Sequence, residues 1–511
     1  MSATRPPSKY IVKRFVPIAA VVLLLTLNGC SRPQDPTPVT TVGTGATAQQ
    51  PAAAAAQQPA AATPSPRPGG VANVGMLPEP SPPPQVYMVQ PGDTLDAIAA
   101  RFGFDLQSLM SANGIDDPTL VQVGQELRIP SPQIETGPSI RVLPDSEFVN
   151  GPAYASFDVD SFVADYGGYL ADYSEYVGTE LLSGAEIVQL VAHHYSVGPR
   201  LLLALIELKG DWVTQADPGW PALGYNSSGV DSFSGQLAWA ADELNRGYYD
   251  WRGRGMRLIT WPDGNATRYA SGLNAATAGL QYFFSINSLK DEWEMLSGEG
   301  PGSLLATYRA LFGDPAQYAV EPLIPGNLDN PSWVLPWPKG ESWHYTGGPH
   351  GAWEDGSAWA ALDFVPPGGP FGCGVPESSA TAAASGRVVY SQNGEVMIDL
   401  DGDGHEQTGW VLFYLHMAAD GRVPVGTQVK PGDPIGRPSC EGGFSESAHL
   451  HIARKYNGEW IAADGPLPFT LSGWQPRSAG AQYDGSLNRD GRSIDSAETW
   501  DLQVNGIRAD R

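Results

Sequence analysis

Cysteine, basic side chains and long apolar runs are all scarce in this chain, and each shortage narrows what it can be. Three cysteines, at positions 30, 373 and 440, stand among 511 residues. That is too few for a disulfide framework, and none falls in the C-x-x-C spacing of a structural zinc site. Thirty lysines and arginines face 55 aspartates and glutamates, giving a formal net charge of −25. Such a surface repels nucleic acid and anionic headgroups, so nucleic acid is not an expected partner. The one marked apolar run, Phe15 to Leu27, is shorter than the ~20 residues that cross a bilayer. Large apolar side chains are also sparse between Ser31 and Gln85, where Pro, Ala, Gln, Thr and Gly dominate. Residues 31–85 are therefore expected to be a disordered linker, because they cannot bury enough surface to offset chain entropy. The remainder is too long for one core and implies several domains.

Arg5, Lys9, Lys13 and Arg14 precede the apolar run, and Leu27-Asn28-Gly29-Cys30 follows it, which is an export layout. The tetrapeptide resembles a bacterial lipobox. That resemblance implies a lipoprotein signal peptide over residues 1–30, lipidation of Cys30, and a cell-envelope location outside the cytoplasm with a lipid anchor in a membrane. In that compartment Cys373 and Cys440 are free to form a disulfide, the alternative being two separate buried thiols.

Residues 86–130 are punctuated as strand, helix, helix, strand. Val86 to Val89 alternates, Thr94 caps a short helix, Asn113-Gly114 ends a second one, and Val121 to Ile129 returns as a strand. The stretch from Tyr87-Met-Val-Gln-Pro-Gly-Asp-Thr-Leu to Val123-Gly-Gln-Glu-Leu-Arg-Ile-Pro130 resembles a LysM domain, a small βααβ module. The resemblance implies binding of N-acetylglucosamine-containing glycan, hence of peptidoglycan, by Gly92, Asp93 and Thr94 in one loop and Asn113 and Ile115 in the other.

Residues 135–330 read mainly as helices, with a capping box at Ser183-x-x-Glu186 and Pro199 as a first helical residue. Val197 to Trp212 resembles the helix that carries the acid of lysozyme-like lytic transglycosylases. The register, however, sets Lys209 where the acid belongs and leaves Glu207 displaced. A lysozyme-like, non-catalytic helical domain is expected, and glycan cleavage there is the weaker alternative.

From residue 331 to 474 the pattern becomes short strands between turns, an all-β domain, and 475–511 reads as a polar tail. In His449-Leu450-His451-Ile452 strand alternation turns both imidazoles to one face. His416 ends a similar strand, and two or three histidines with a carboxylate suit a catalytic zinc that keeps one position open. Asp399-x-Asp401-x-Asp403-Gly404 opens like a calcium loop, but Trp410 stands where its glutamate belongs, so a polar hairpin turn is expected. His193, His194 and His405 are expected in packing or surface roles.

Tyr345-Thr-Gly-Gly-Pro-His350, Ala361-Leu-Asp363-Phe, Tyr414-Leu-His416, Val425 to Gly436 and Ser447-Ala-His449-Leu-His451-Ile follow one another in the order of the lysostaphin and LytM type of zinc metalloendopeptidase. The resemblance implies Zn2+ held by His350, Asp363 and His451, with His449 and His416 as catalytic imidazoles, and peptidoglycan peptide as the substrate. Tyr345 is a further candidate to point its hydroxyl into the site, unless it is a packed aromatic. Twelve residues separate His350 from Asp363 where the family usually has three. An inserted loop, Gly351 to Ala360, accounts for the excess; strict spacing would instead select Glu354. The rival reading is a catalytically silent, peptidoglycan-binding scaffold or hydrolase regulator, and loss of a ligand would favour it; none is lost.

Overall fold

The computed structural model describes residues 86–89, 93–102, 106–129, 136–218, 221–223, 231–368 and 372–510. The signal-peptide and linker expectations, Cys30 and Gly92 lie outside these residues.

The first module pairs β1 (Val86–Met88) antiparallel with β2 (Glu126–Arg128), and α1 (Leu95–Phe102) and α2 (Leu106–Asn113) lie between them in sequence. Its small core is Val89, Leu95, Ile98, Ala99, Leu109, Met110, Leu127 and Ile129. The Thr94 hydroxyl accepts from the Ala97 amide, the N-cap expected from its position.

The middle region is helical. Its main elements are α3 (Gly184–Tyr195), α4 (Pro199–Gly210), α5 (Phe233–Gly253), α6 (Ala275–Ser285) and α7 (Leu304–Phe312). The α3 start is the expected capping box: Ser183 accepts from the Glu186 amide, and the Glu186 carboxylate accepts from the Ser183 amide. Pro199 opens α4 where no donor is needed. The carboxylate of Glu207 accepts from the Val213 and Thr214 amides and the Thr214 hydroxyl. It is occupied in closing a turn, which disfavours an acid for glycan cleavage.

The C-terminal region is built on a nine-stranded antiparallel sheet. In chain order its strands are β3 (Ser342–His350), β4 (Ala361–Val365), β5 (Gly386–Gln392), β6 (Glu395–Asp399), β7 (Trp410–Leu415), β8 (Gln428–Val429), β9 (Leu450–Tyr456) and β10 (Glu459–Trp460). Beyond these, β11 (Gln475–Ser478), β12 (Gly485–Arg489) and β13 (Arg492–Asp495) form a separate three-stranded sheet, and β14 (Gly506–Arg508) is the ninth strand of the large one. The spatial order is β8-β5-β6-β7-β9-β4-β3-β14, with β10 on β9.

Residues 475–510 are thus not a tail, a correction to the sequence reading of 475–511. Their polar composition hides a sheet whose strands are short and half-exposed. Three of their apolar side chains, Leu487, Ile494 and Ile507, are buried in the C-terminal core, while Trp500, Leu502 and Val504 are exposed.

Strand alternation divides the large sheet between two cores. Val396, Ile398, Leu412, Tyr414, Leu450 and Ile452 face the core of the C-terminal region. Met397, Val411, Phe413, Leu415 and Ala453 face the other way, into a core continuous with the helices. Both faces being covered explains why β7 reads Trp-Val-Leu-Phe-Tyr-Leu without polar alternation. The boundary near 330 therefore separates stretches of chain without separating cores.

Polar groups cross the same contact. Glu459 on β10 is buried, with its carboxylate 3.0 Å from Arg252 Nε and 3.3 Å from the Tyr248 hydroxyl, both on α5. Burial outweighs the Arg252 charge and pushes the Glu459 pKa up to about 7. A raised folded-state pKa means that the stabilisation is complete below the ordinary value of 4.5 and is lost as pH rises through about 7. Thermal melts of the whole chain should therefore show wild type losing on the order of 2 kcal/mol relative to Glu459→Gln between pH 4.5 and 8. Parallel pH profiles for the two proteins would refute this.

Candidate metal centre

The pairing of β9 with β4 sets His451 directly opposite Asp363, and β4 with β3 sets Asp363 opposite Gly347. His449, His451 and Asp363 accordingly share the sheet face of Phe413, Leu415 and Ala453. The β3–β4 register shifts between Tyr345 and Gly347 and again between Gly347 and His350, and these irregularities bend the end of β3 so that His350 joins the group. Gly347 is required by contact: a Cβ there would stand 2.6 Å from Asp363 Oδ2.

His350 Nε2 lies 3.0 Å from His451 Nδ1, and both lie close to Asp363 Oδ1, at 3.3 and 3.2 Å. The other nitrogen of each ring donates to a carbonyl: His350 Nδ1 to Gly348 at 2.8 Å, His451 Nε2 to Ala352 at 3.0 Å. Carbonyls only accept, so in the neutral rings the two nitrogens that face each other carry lone pairs. Asp363 Oδ1 is buried and has no hydrogen-bond donor. Two lone pairs and an orphaned carboxylate oxygen converging within 3.3 Å repel one another unless a cation lies between them, so the donor set fits a metal ion. Against its burial, the neighbouring imidazoles hold the Asp363 carboxyl well below its usual range, and burial lowers the pKa of His451.

The remaining two imidazoles repeat the design. His449 Nδ1 is 2.8 Å from the Ser447 carbonyl, which leaves Nε2 facing Asp363 Oδ1 at 3.7 Å. His416 Nδ1 is 3.1 Å from the Glu441 carbonyl, and its ring centroid is 4.5 Å from that of His449. His416 has φ +64°, a backbone conformation uncommon for a non-glycine residue, at the end of β7. Burial, followed by the neighbouring imidazoles, pushes its pKa down to about 3, so it stands neutral. These groups line a cleft of about 750 Å3 together with Thr346, Glu354, Phe444 and Tyr483.

The loop Gly351 to Ala360 is braced from three sides. The Gly356 amide donates to Asp242 of α5 at 2.7 Å, Trp353 stacks on His194 of α3 at 4.1 Å, and the Gly351 amide donates to Gln482 at 2.9 Å. Its Ala352 carbonyl orients His451. Asp363, and not Glu354, joins the group that could hold a metal; Glu354 lines the cleft. Cys373 and Cys440 are joined as a disulfide, with Cα atoms 5.3 Å apart. Next to Cys440, the Glu441 carbonyl holds His416, and the Ala448 amide, next to His449, donates to Gly372.

Tyr345 does not reach the cleft, a correction to the sequence reading. It is fully buried against Phe364 in the C-terminal core, because alternation along β3 turns Thr346 to the cleft and Tyr345 away from it. The aromatic that packs on a ligand candidate is Tyr483, stacked on His350 at 4.1 Å. No sequence signal identifies it, since it arrives from the stretch read as a tail. In the first module Asp93 accepts from the Tyr87 hydroxyl at 2.6 Å, and the Asn113 side chain exchanges hydrogen bonds with the Arg128 backbone at 2.6 and 2.8 Å. Ile115 packs, half-buried, on the small core. The Asp399 and Asp401 carboxylates accept amides of their own turn, as a polar hairpin requires.

Among the described residues no helix is long and apolar enough to cross a membrane. Family models match three stretches: LysM domain over 87–130, LasA N-terminal domain over 141–326, and peptidase family M23 over 373–463. The last covers His416, His449 and His451 but begins after His350 and Asp363, which the sequence order and the strand geometry bring in. The β-lytic metalloendopeptidase of Achromobacter lyticus is 27% identical over 184 residues, 35% of this chain and 44% of that protein. The N-acetylmuramoyl-L-alanine amidase XlyA of Bacillus subtilis is 43% identical over 61 residues, 12% of this chain and 20% of that protein. The chain thus spans less than half the length of these curated relatives. Among solved structures, the M23 metalloprotease pseudoalterin, from the deep sea, is 25% identical with a TM-score of 0.28, covering 33% of this chain and 96% of that one. The catalytic domain of lysostaphin from Staphylococcus simulans is 23% identical with a TM-score of 0.17, covering 24% and 89%. As the sequence resemblances implied, the chain carries a LysM domain and a peptidase domain of family M23; the helical region between them, read from sequence as lysozyme-like, is instead similar to the LasA N-terminal domain.

Proposed function

We propose that this protein is a zinc-dependent endopeptidase that hydrolyses peptide bonds of bacterial peptidoglycan. In this reading it is exported, held at the cell envelope by lipid on Cys30, and brought to its substrate by glycan binding at the LysM domain through Gly92, Asp93, Thr94, Asn113 and Ile115. The observation that carries the peptidase assignment is the convergence of His350 Nε2, His451 Nδ1 and Asp363 Oδ1 within 3.3 Å, with no donor to the carboxylate oxygen.

His350, Asp363 and His451 would hold the metal. Zinc, when bound, supplies Lewis acidity toward the scissile carbonyl and toward the attacking water. The protein's own groups supply the rest. His449, oriented by its Nδ1–H on the Ser447 carbonyl, presents a bare Nε2 to the cleft and takes the proton released as the nucleophile attacks. His416, fixed through the Glu441 carbonyl, lies beside it on the cleft wall as the second catalytic imidazole, and it stabilises the developing oxyanion only in the protonated form that the reaction itself would create. Tyr483 and the loop Gly351 to Ala360 wall the cleft and limit water around His350 and His451.

Three outcomes test the reading on the secreted chain with purified peptidoglycan. His451→Ala and Asp363→Ala should each lose one zinc equivalent relative to the unsubstituted chain, measured by elemental analysis, together with release of new amines. Continued amine release from either variant would sink the assignment. His449→Gln should keep its zinc while kcat falls about 10^2–10^4-fold with KM little changed; a selective rise in KM would make His449 a binding group instead. Gly347→Ala pushes on Asp363 Oδ2, so zinc affinity should fall roughly 10–100-fold, a competition titration with a chromophoric chelator giving the number. Unchanged affinity would show that Asp363 is not held where the register puts it.

A further inference from the structure

His193 and His194 follow one another near the end of α3, and the proposed peptidase chemistry uses neither. Their rings are not loosely packed, as a surface or core role would allow. His193 lies against Tyr390 at 4.1 Å and His194 stacks on Trp353 at 4.1 Å, and these contacts aim both Nε2 atoms at one carboxylate. That carboxylate is Glu395, at the start of β6 and fully buried: His193 Nε2 is 3.0 Å from its Oε2, and His194 Nε2 is 2.8 Å from its Oε1. The other nitrogen of His193, Nδ1, meets Glu406 Oε1 at 2.8 Å, and Glu406 is held in turn by Lys455 Nζ at 2.8 Å.

His193 thus has one ring nitrogen on an outer carboxylate, as metal-ligating histidines commonly do, and the other on Glu395, where an ion would replace the shared proton. The ligand atoms of His193, His194 and Glu395 lie within 4.8 Å of one another, as do those of His350, Asp363 and His451. Glu395, buried, and Glu406, half-buried, bring two carboxylates to the His193 ring, with Lys455 on Glu406, and a bound ion in place of the proton between His193 and Glu395 would supply the balancing positive charge. Access exists as well, because His193, His194, Tyr390 and Glu406 line a second cleft, of about 1010 Å3, which meets the peptidase cleft at Gly443.

We propose that His193, His194 and Glu395 form a second metal centre, taking a divalent transition ion with zinc the best match to two imidazoles and a carboxylate. Glu406 orients His193 from outside the ligand set. Because the histidines belong to α3 and Glu395 to β6, the ion fastens the helical region to the sheet. The site does not depend on the peptidase reading, since none of its ligands belongs to that centre.

The test is metal stoichiometry on the full secreted chain after dialysis against metal-free buffer, followed by Zn2+ titration. The unsubstituted chain should bind two equivalents. The double variant His350→Ala/His451→Ala should keep one, and EDTA should still lower its melting temperature. Glu395→Gln and His194→Ala should each lose one equivalent while the equivalent removed by His350→Ala/His451→Ala remains, and circular dichroism reports whether each variant is folded. Glu406→Gln, a milder change, should keep the stoichiometry but bind the second equivalent roughly 10–100-fold more weakly. One equivalent in the unsubstituted chain with none in His350→Ala/His451→Ala overturns the proposal, as does retention of that variant's equivalent when Glu395→Gln is added.

Discussion

The register of three neighbouring strands is the constraint on which the candidate site depends. β9 must pair with β4 so that His451 meets Asp363, and β4 with β3 so that Asp363 leans over Gly347. A slip of one residue would turn each of these side chains to the opposite face and bury a carboxylate and imidazoles in an apolar core. The alternating cores prevent that slip. Leu412, Tyr414, Leu450 and Ile452 are committed to one side, and Phe413, Leu415 and Ala453 to the other. Hydrophobic burial on both faces thus fixes the position of polar groups that would not choose it themselves.

Within that frame, backbone carbonyls do the fine orientation. Those of Gly348, Ala352, Glu441 and Ser447 each receive one ring N–H, and each imidazole is left with its second nitrogen toward the cleft. Two of the four carbonyls lie in segments braced from elsewhere. Ala352 sits in the loop tied to α5 through Asp242 and to α3 through the stack of Trp353 on His194. Glu441 follows the disulfide cysteine Cys440. The helical region therefore bears on the geometry of His451 without contributing a side chain to the ligand group, and Trp353 and His194 connect the two histidine clusters through a single stack.

Much of the local structure was legible beforehand because it rests on contacts within a few residues. The capping box of Ser183 and Glu186, Pro199 as a first helical residue, and the Thr94 cap are all of this kind. The order of the histidines and of Asp363 allowed the ligand group to be assembled on paper even across the long loop, and the structure brings Asp363 into it in preference to Glu354. Tyr345 and the C-terminal stretch show where such reading stops. Tyr345 has the company of a site residue, but one step along β3 separates the cleft face from the core. Residues 475–511 lack the apolar density that announces strands, yet β14 completes the edge of the large sheet and Tyr483 stacks on His350.

Sequence alone determined most element types up to residue 474, the presence of a LysM module ahead of a helical region and a β-rich peptidase region, and the His350, Asp363 and His451 candidates for a metal, because these follow from short-range periodicity, capping and motif order. Only the tertiary structure decided which face each strand turns to the cleft, which ring nitrogen each histidine leaves free, and that His193 and His194 of α3 meet Glu395 of β6, some 200 residues away in the chain. Such pairings depend on contacts between segments distant in sequence, and no local pattern encodes a partner that arrives from another element.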